Sequence, residues 1–254
     1  MGRFLSPDKF FFQKEMLEDP QRFNLYAYVR NNPLAMVDPS GEAIQLSNDA
    51  DERAAQMKAL CGVVGSQGCS YLYANGVTTT DKSGNQQTNY YVGILSGGPS
   101  GNGPAFSDLN GPASAVAGIV GDSRVAQLSL VAPGTVVGNP GDQATIGRAP
   151  SNTPGATFQS SDGQWHIDLL DPRQSSPGVM PGAYMSDGLA HYLTMGEVTG
   201  HELGHLQFEW SGKMSQAFQN LMNLQQGGSN ASALKLENQV RQLKDPSAPT
   251  RTQH

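Results

Sequence analysis

Thr194-Met195-Gly196-Glu197-Val198-Thr199-Gly200-His201-Glu202-Leu203-Gly204-His205-Leu206-Gln207-Phe208-Glu209-Trp210 is the stretch on which the reading of this chain turns, and it contains the pattern H-E-x-x-H at 201–205. On an α-helix, side chains at i and i+4 lie one turn apart on the same face, so the imidazoles of His201 and His205 either simply share that face or can converge on one metal ion. Zinc is the ion that this spacing suggests. Glu202 stands one step round the helix, where its carboxylate is poorly placed as a ligand but can reach a water held by the metal. That is the position of a general base.

Local sequence predicts the helix independently of the motif. Thr194 followed by Glu197 is a capping box, which satisfies two orphan amides at a helix start. Gly196, Gly200 and Gly204 recur every fourth residue and form a stripe beside the histidines. Each costs a helix about 1 kcal/mol against alanine. The stripe therefore predicts that another element, a strand or the wall of a substrate cleft, approaches closely there.

The rest of the composition bounds the function. The chain has 254 residues, enough for one large domain or a domain with an appendage, and a net charge of −6. That charge gives no electrostatic footprint for nucleic acid, which disfavours an activity on RNA or DNA. Charged residues are only 15%, while Gly numbers 30 and Pro 16, so short elements and many turns are expected. No apolar run approaches the roughly 18 to 20 residues of a membrane helix. Phe10-Phe11-Phe12 is too short for a signal-peptide core, so export is expected to use a specialised route. Cys61 and Cys69 flank a Gly-rich segment and are read either as a pair or as free thiols.

Along the chain, a helix is expected over 51–60, stopping at Gly62. Tyr71 to Thr80 and Gln86 to Leu95, around Asp81-Lys82-Ser83-Gly84-Asn85, predict a β-hairpin. Residues 96–114 read as a loop, 113–120 as a short helix and 124–131 as a strand carrying Val125, Gln127, Ser129 and Val131 on one face. Turn residues dominate 133–163. The clearest strand is Gln164 to Leu170, with Trp165, Ile167 and Leu169 on one face; it is either an edge strand that binds extended substrate or an interior strand. His166 and His191 lack spaced partners and read as surface or loop histidines. Tyr184, in a Pro-Gly loop ahead of the metal helix, is a candidate donor to an oxyanion. Met214, Ala217, Phe218, Leu221 and Met222 predict a structural helix.

A catalytic zinc needs three protein ligands and an open position. Phe208 and Ser211 stand where a metzincin has glycine and histidine, so the third ligand must come from elsewhere. The last helix, capped by Ser229 or Asn230, carries Ala233, Leu236, Val240 and Leu243 on its apolar face, and Glu237 shares that face. An acid placed there calls for a partner: a metal, or Arg241 four residues on.

Two resemblances add to these readings. Residues 1–42 include Tyr26-Ala27-Tyr28-Val29-Arg30-Asn31-Asn32-Pro33-Leu34 and Asp38-Pro39-Ser40-Gly41, and this stretch resembles the C-terminal end of the core in RHS-repeat proteins, β-shells that enclose a variable C-terminal toxin. The resemblance implies release by self-cleavage using two aspartates, matched by Asp8 and Asp38, although Lys9 and Phe11 stand where the first motif has proline and glycine. Ordinary turn chemistry is the other reading of both. His201 to His205, then Leu236-Glu237-Asn238-Gln239-Val240-Arg241 and Pro249-Thr250-Arg251, is similar to the NleD-like effector metallopeptidases. That likeness implies zinc held by His201, His205 and Glu237, Glu202 as catalytic base, and supporting roles for Asn238, Arg241 and Arg251.

Together these readings predict an α+β, zincin-like domain over 43–254, with its metal-site helices at 194–254, preceded by an RHS-core remnant at 1–42. The expected activity is a zinc-dependent endopeptidase, the toxin payload of an RHS-type protein, delivered to a target cell and cleaving proteins there. The RHS shell and a cognate immunity protein are its expected partners. The alternative is a binding module in which zinc only staples the helices.

Overall fold

The computed structural model describes residues 43–80, 83–122, 124–147, 152–174, 182–210 and 228–252. Asp8, Asp38, the RHS-like stretch and the helix expected at 214–222 lie outside the described residues. The architecture is α+β. A mixed six-stranded sheet has the order β2-β3-β1-β4-β8-β7, from β1 (Ile44–Leu46), β2 (Leu72–Thr80), β3 (Gln86–Ile94), β4 (Ala126–Val131), β7 (Gly155–Gln159) and β8 (Trp165–Leu170). Two small hairpins accompany it: β5 (Val136–Asn139) with β6 (Asp142–Thr145), and β9 (Gly182–Tyr184) with β10 (Ala190–Tyr192). The helices are α1 (Ala50–Cys69), α2 (Gly111–Val120), α3 (Met195–Trp210) and α4 (Gly228–Lys244). No helix among the described residues is long and apolar enough to cross a membrane.

Register decides which face of the sheet is the core. Ile44 pairs with Ala126, and Ala126, Leu128 and Leu130 pair with Trp165, Ile167 and Leu169, so these side chains line one face. All but the half-buried Trp165 are buried. This face carries α1 and α3: Arg53 of α1 stacks on Tyr90 at 3.7 Å, and Trp210 of α3 meets Trp165 edge-on at 6.4 Å. The inward residues of β4 are thus Ala126, Leu128 and Leu130. The set expected to mark its face, Val125, Gln127, Ser129 and Val131, is the more open one, because leucine burial outweighs two valines at the strand ends.

The hairpin β2–β3, the helix α2 and the strand β8 lie where the sequence predicts them. One expectation along the chain needs correction, and two open alternatives are decided. The first helix does not stop at Gly62; α1 runs to Cys69 and breaks at Gly65, whose φ of 74° and ψ of 176° are non-helical. Cys61 and Cys69 are joined as a disulfide with Cα atoms 4.6 Å apart. Residues eight apart on a straight helix are about 12 Å apart, so the bond requires this kink. Strand β8 takes the interior of its two readings, between β4 and β7, and the strands that end the sheet are β2 and β7, the latter within the stretch dominated by turn residues.

Candidate metal centre

The capping box forms as the sequence predicts: Thr194 N–H donates to Glu197 Oε2 at 2.6 Å, and Glu197 N–H donates to Thr194 Oγ1 at 3.3 Å. Glu197 is also buried against Arg241 of α4, with Nε 3.3 Å from Oε1. The glycine stripe has its close neighbours, and they are helices rather than a strand or cleft wall. A Cβ at Gly196 would stand 2.5 Å from the backbone of Gly62 in α1; at Gly200, 2.8 Å from Val240 Cγ2; at Gly204, 2.6 Å from Cα of Ala233 in α4. Small residues let the backbones of α3 and α4 meet, and this brings Glu237 and Ser229 to the histidines.

His201 and His205 turn their Nε2 atoms toward each other, 3.2 Å apart. Two nitrogens bound tetrahedrally at zinc distances are separated by about 3.3 Å, so the pair has the spacing of two ligands to one ion. The far nitrogens are held from α4. His201 Nδ1 lies 2.7 Å from Glu237 Oε2, and His205 Nδ1 lies 2.7 Å from Ser229 Oγ. A carboxylate accepts from Nδ1–H, which leaves the Nε2 lone pair of His201 directed at the gap. Ser229, read from sequence as a cap, is instead an orienting partner in the first described turn of α4.

Glu237 is fully buried, on the apolar face of α4 as expected. Arg251 Nη1 donates to its Oε2 at 3.1 Å. Oε1 makes no hydrogen bond among the described residues, with Arg241 Nη2 4.0 Å away. Asn238 clasps the C-terminal segment: its Nδ2 donates to Arg251 O at 2.8 Å, and its Oδ1 accepts from Arg251 N–H at 2.7 Å. Residues 237, 238, 241 and 251 therefore form one polar cluster behind His201. Among the described residues no ready three-donor group of His, Cys, Asp or Glu is assembled, because Glu237 meets His201 from the Nδ1 side. Two preset imidazoles fit a zinc ion in their donor chemistry, while the acid expected as the third ligand stands behind one of them, where it fixes the tautomer of His201.

Glu202 lies on the other flank of the pair. Its Oε2 accepts from Thr157 Oγ1 at 2.9 Å, and Thr157 is on the edge strand β7. A Cβ at Gly155 would stand 2.8 Å from Glu202 Cγ and 2.9 Å from its Oε1, so only glycine leaves room for this carboxylate. Burial pushes the Glu202 carboxyl above the ordinary carboxylate range, opposed by His201 and the Thr157 hydroxyl. Neither residue of β7 was visible from sequence. Pro154-Gly155 reads as a turn, and a five-residue strand gives little alternation.

His166 and His191 are not part of the centre. His166 stacks on Phe158 at 5.0 Å, and His191 Nε2 is 2.7 Å from Asp187 Oδ2 on the loop of its own hairpin. Tyr184 ends β9, opposite Ala190; its side chain lies outside what is described. Comparisons of this chain with protein-family models, curated proteins and solved structures found no match.

Proposed function

We propose that this chain is a zinc-dependent endopeptidase of zincin-like architecture, the C-terminal toxin of an RHS-type protein that is delivered into a target cell and cleaves proteins there. The observation that carries the reading is the facing pair of Nε2 atoms at 3.2 Å with a buried carboxylate, Glu202, beside it and bonded to Thr157 of a strand that ends the sheet. Zinc, when bound, polarises a substrate carbonyl and lowers the pKa of water toward about 7. His201 and His205 would hold it through Nε2, and Glu237, expected from the sequence as the third ligand, accepts from Nδ1–H of His201 and orients that imidazole. Glu202, its proton affinity raised by burial, takes the proton from the attacking water and returns it to the leaving amine. Arg251, Asn238 and Arg241 keep Glu237 in place, and Tyr184 is retained as a candidate oxyanion donor. The toxin setting rests on the RHS-like N-terminal string, which also brings the shell and a cognate immunity protein as partners.

The edge strand suits a peptide substrate. Leu170 N–H donates to Pro154 O and Ser160 N–H to Gln164 O, so the even-numbered residues of β7 bond to β8. The backbone groups of Gly155, Thr157 and Gln159 then point away from the sheet. Gly155 O accepts from Thr153 Oγ1 and Gln159 O from Asn139 Nδ2. Thr157 presents its N–H and C=O to an added strand, beside Glu202.

One arrangement favours a second reading, a structural zinc: both histidines are already tied to α4, so an ion there would staple α3 to α4. Glu202→Gln separates the two. A peptidase keeps stoichiometric zinc by metal analysis and loses cleavage and toxicity; toxicity unchanged in this variant refutes the enzyme.

A further inference from the structure

We infer that Thr157 is the positioning residue of Glu202, so that a peptide added to the sheet edge and the base that attacks it take their alignment from the same residue. The inference rests on Glu202 being the base. Thr157 Oγ1 has two acceptors within reach, Glu202 Oε2 at 2.9 Å and the backbone O of Glu202 at 3.0 Å. A hydroxyl has one proton, so it donates to the carboxylate when that is ionised and falls back on the carbonyl when the carboxylate turns away. Glu202 thus has a held position and the hydroxyl a resting partner.

Gly155 completes the device. Gly155 and Thr157 share the face of β7 turned to α3, and the missing Cβ at 155 is the space in which Glu202 Cγ and Oε1 lie. The same two residues direct their backbone groups away from β8, by the alternation described above, with Gly155 O taken by Thr153 and the main chain of Thr157 left to the sheet edge. A substrate strand would bond the main chain of Thr157 while its side chain holds the base. The reacting carbonyl and the carboxylate would then share one frame, and misplacement by about 1 Å is enough to cost about 100-fold in rate.

The test compares full-length wild type, Thr157→Val and Thr157→Ser, all zinc-loaded, on a pool of internally quenched peptides, followed by kinetics on one peptide that wild type cleaves. Valine keeps the shape and removes the hydroxyl. Expected is a fall in kcat of about 10- to 100-fold with KM within about twofold, unchanged zinc content, and recovery of most of kcat in the serine variant. A readout without activity accompanies it: melting of zinc-free protein with Thr157→Val made alone and in a Glu202→Ala background. The melting temperature should drop more in the first than in the second, where the hydroxyl keeps only the backbone O of Glu202. Equal drops in both backgrounds, an undiminished kcat in Thr157→Val, or no recovery with serine would each overturn the inference while leaving the peptidase intact. A wild type that cleaves nothing in the pool refutes the peptidase reading, and this inference with it.

Discussion

Replacing Gly204 by alanine sets two known effects of opposite sign against each other at the crossing of α3 and α4. In an exposed helix interior the change stabilises by about 0.5–1 kcal/mol, because alanine restricts the unfolded chain and glycine does not. At Gly204 the new methyl would lie 2.6 Å from Ala233 Cα, 2.8 Å from Ser232 O and 2.9 Å from Ala233 N. These are backbone atoms of a helix and have no rotamer to turn away, so α4 must move by most of an ångström. Overpacking of this kind costs about 1–3 kcal/mol, and the rigid neighbour argues for the upper end. The net expectation is a loss of about 2 kcal/mol, or a fall in melting temperature of about 4–8 °C for a domain of this size. Gly118 in α2 is the internal control, since a Cβ there meets nothing within 4 Å. Gly118→Ala should raise the melting temperature by about 1–4 °C. Calorimetry on zinc-free protein measures both. Competition with a chromophoric chelator measures the consequence at the site, because moving α4 withdraws Glu237 and Ser229 from the histidines and should weaken zinc. If Gly204→Ala melts at or above wild type, as Gly118→Ala does, the close crossing does not exist and the account of how α4 reaches His201 and His205 fails with it.

Three other perturbations follow from the same structure. Replacing Cys61 and Cys69 together by serine, or reducing their bond, should destabilise by about 2.5 kcal/mol through the regained freedom of a short loop, read as a lower urea midpoint with an unchanged slope; equal midpoints would mean the pair is not formed in solution. Arg251→Ala removes a cation from a buried carboxylate and should cost about 1–2 kcal/mol, limited by the partial exposure of Arg251, with lysine recovering part of it; urea unfolding of the three proteins decides. Asp168 is held above the ordinary carboxylate range by burial, against lowering by His166 and a Ser129 hydrogen bond. The fold therefore binds its proton more tightly than the unfolded chain does, and stability falls as pH rises from the unfolded value through the folded one. Asp168→Asn should raise the melting temperature at about pH 7 and leave it unchanged at about pH 3, and a gain of the same size at both would reject the burial argument.

Much of α3 was legible because its signals are local. A capping box lies within one turn, H-E-x-x-H within another, and the glycine stripe reports a close neighbour through its cost to the helix. The burial of Glu237 followed from its position among Ala233, Leu236 and Val240. The hairpin and β8 were legible for the same reason, since their patterns repeat every second residue. By contrast β7 is five residues long and lies among glycines and prolines, and a short strand at a sheet edge carries almost no periodic signal.

The sequence by itself determined that two imidazoles share a helix face, that an acid sits on an apolar stripe, and that something must pack on the glycines. Only the tertiary structure decided what that something is: α1 against Gly196 and α4 against Gly200 and Gly204. It also decided that Glu237 meets His201 at Nδ1, that Ser229 lies at Nδ1 of His205, and that β7 rather than β8 ends the sheet beside Glu202. Helical spacing fixes the relation of residues within one turn, whereas contacts between residues 36 or 45 positions apart depend on how separate elements cross, which no local pattern encodes.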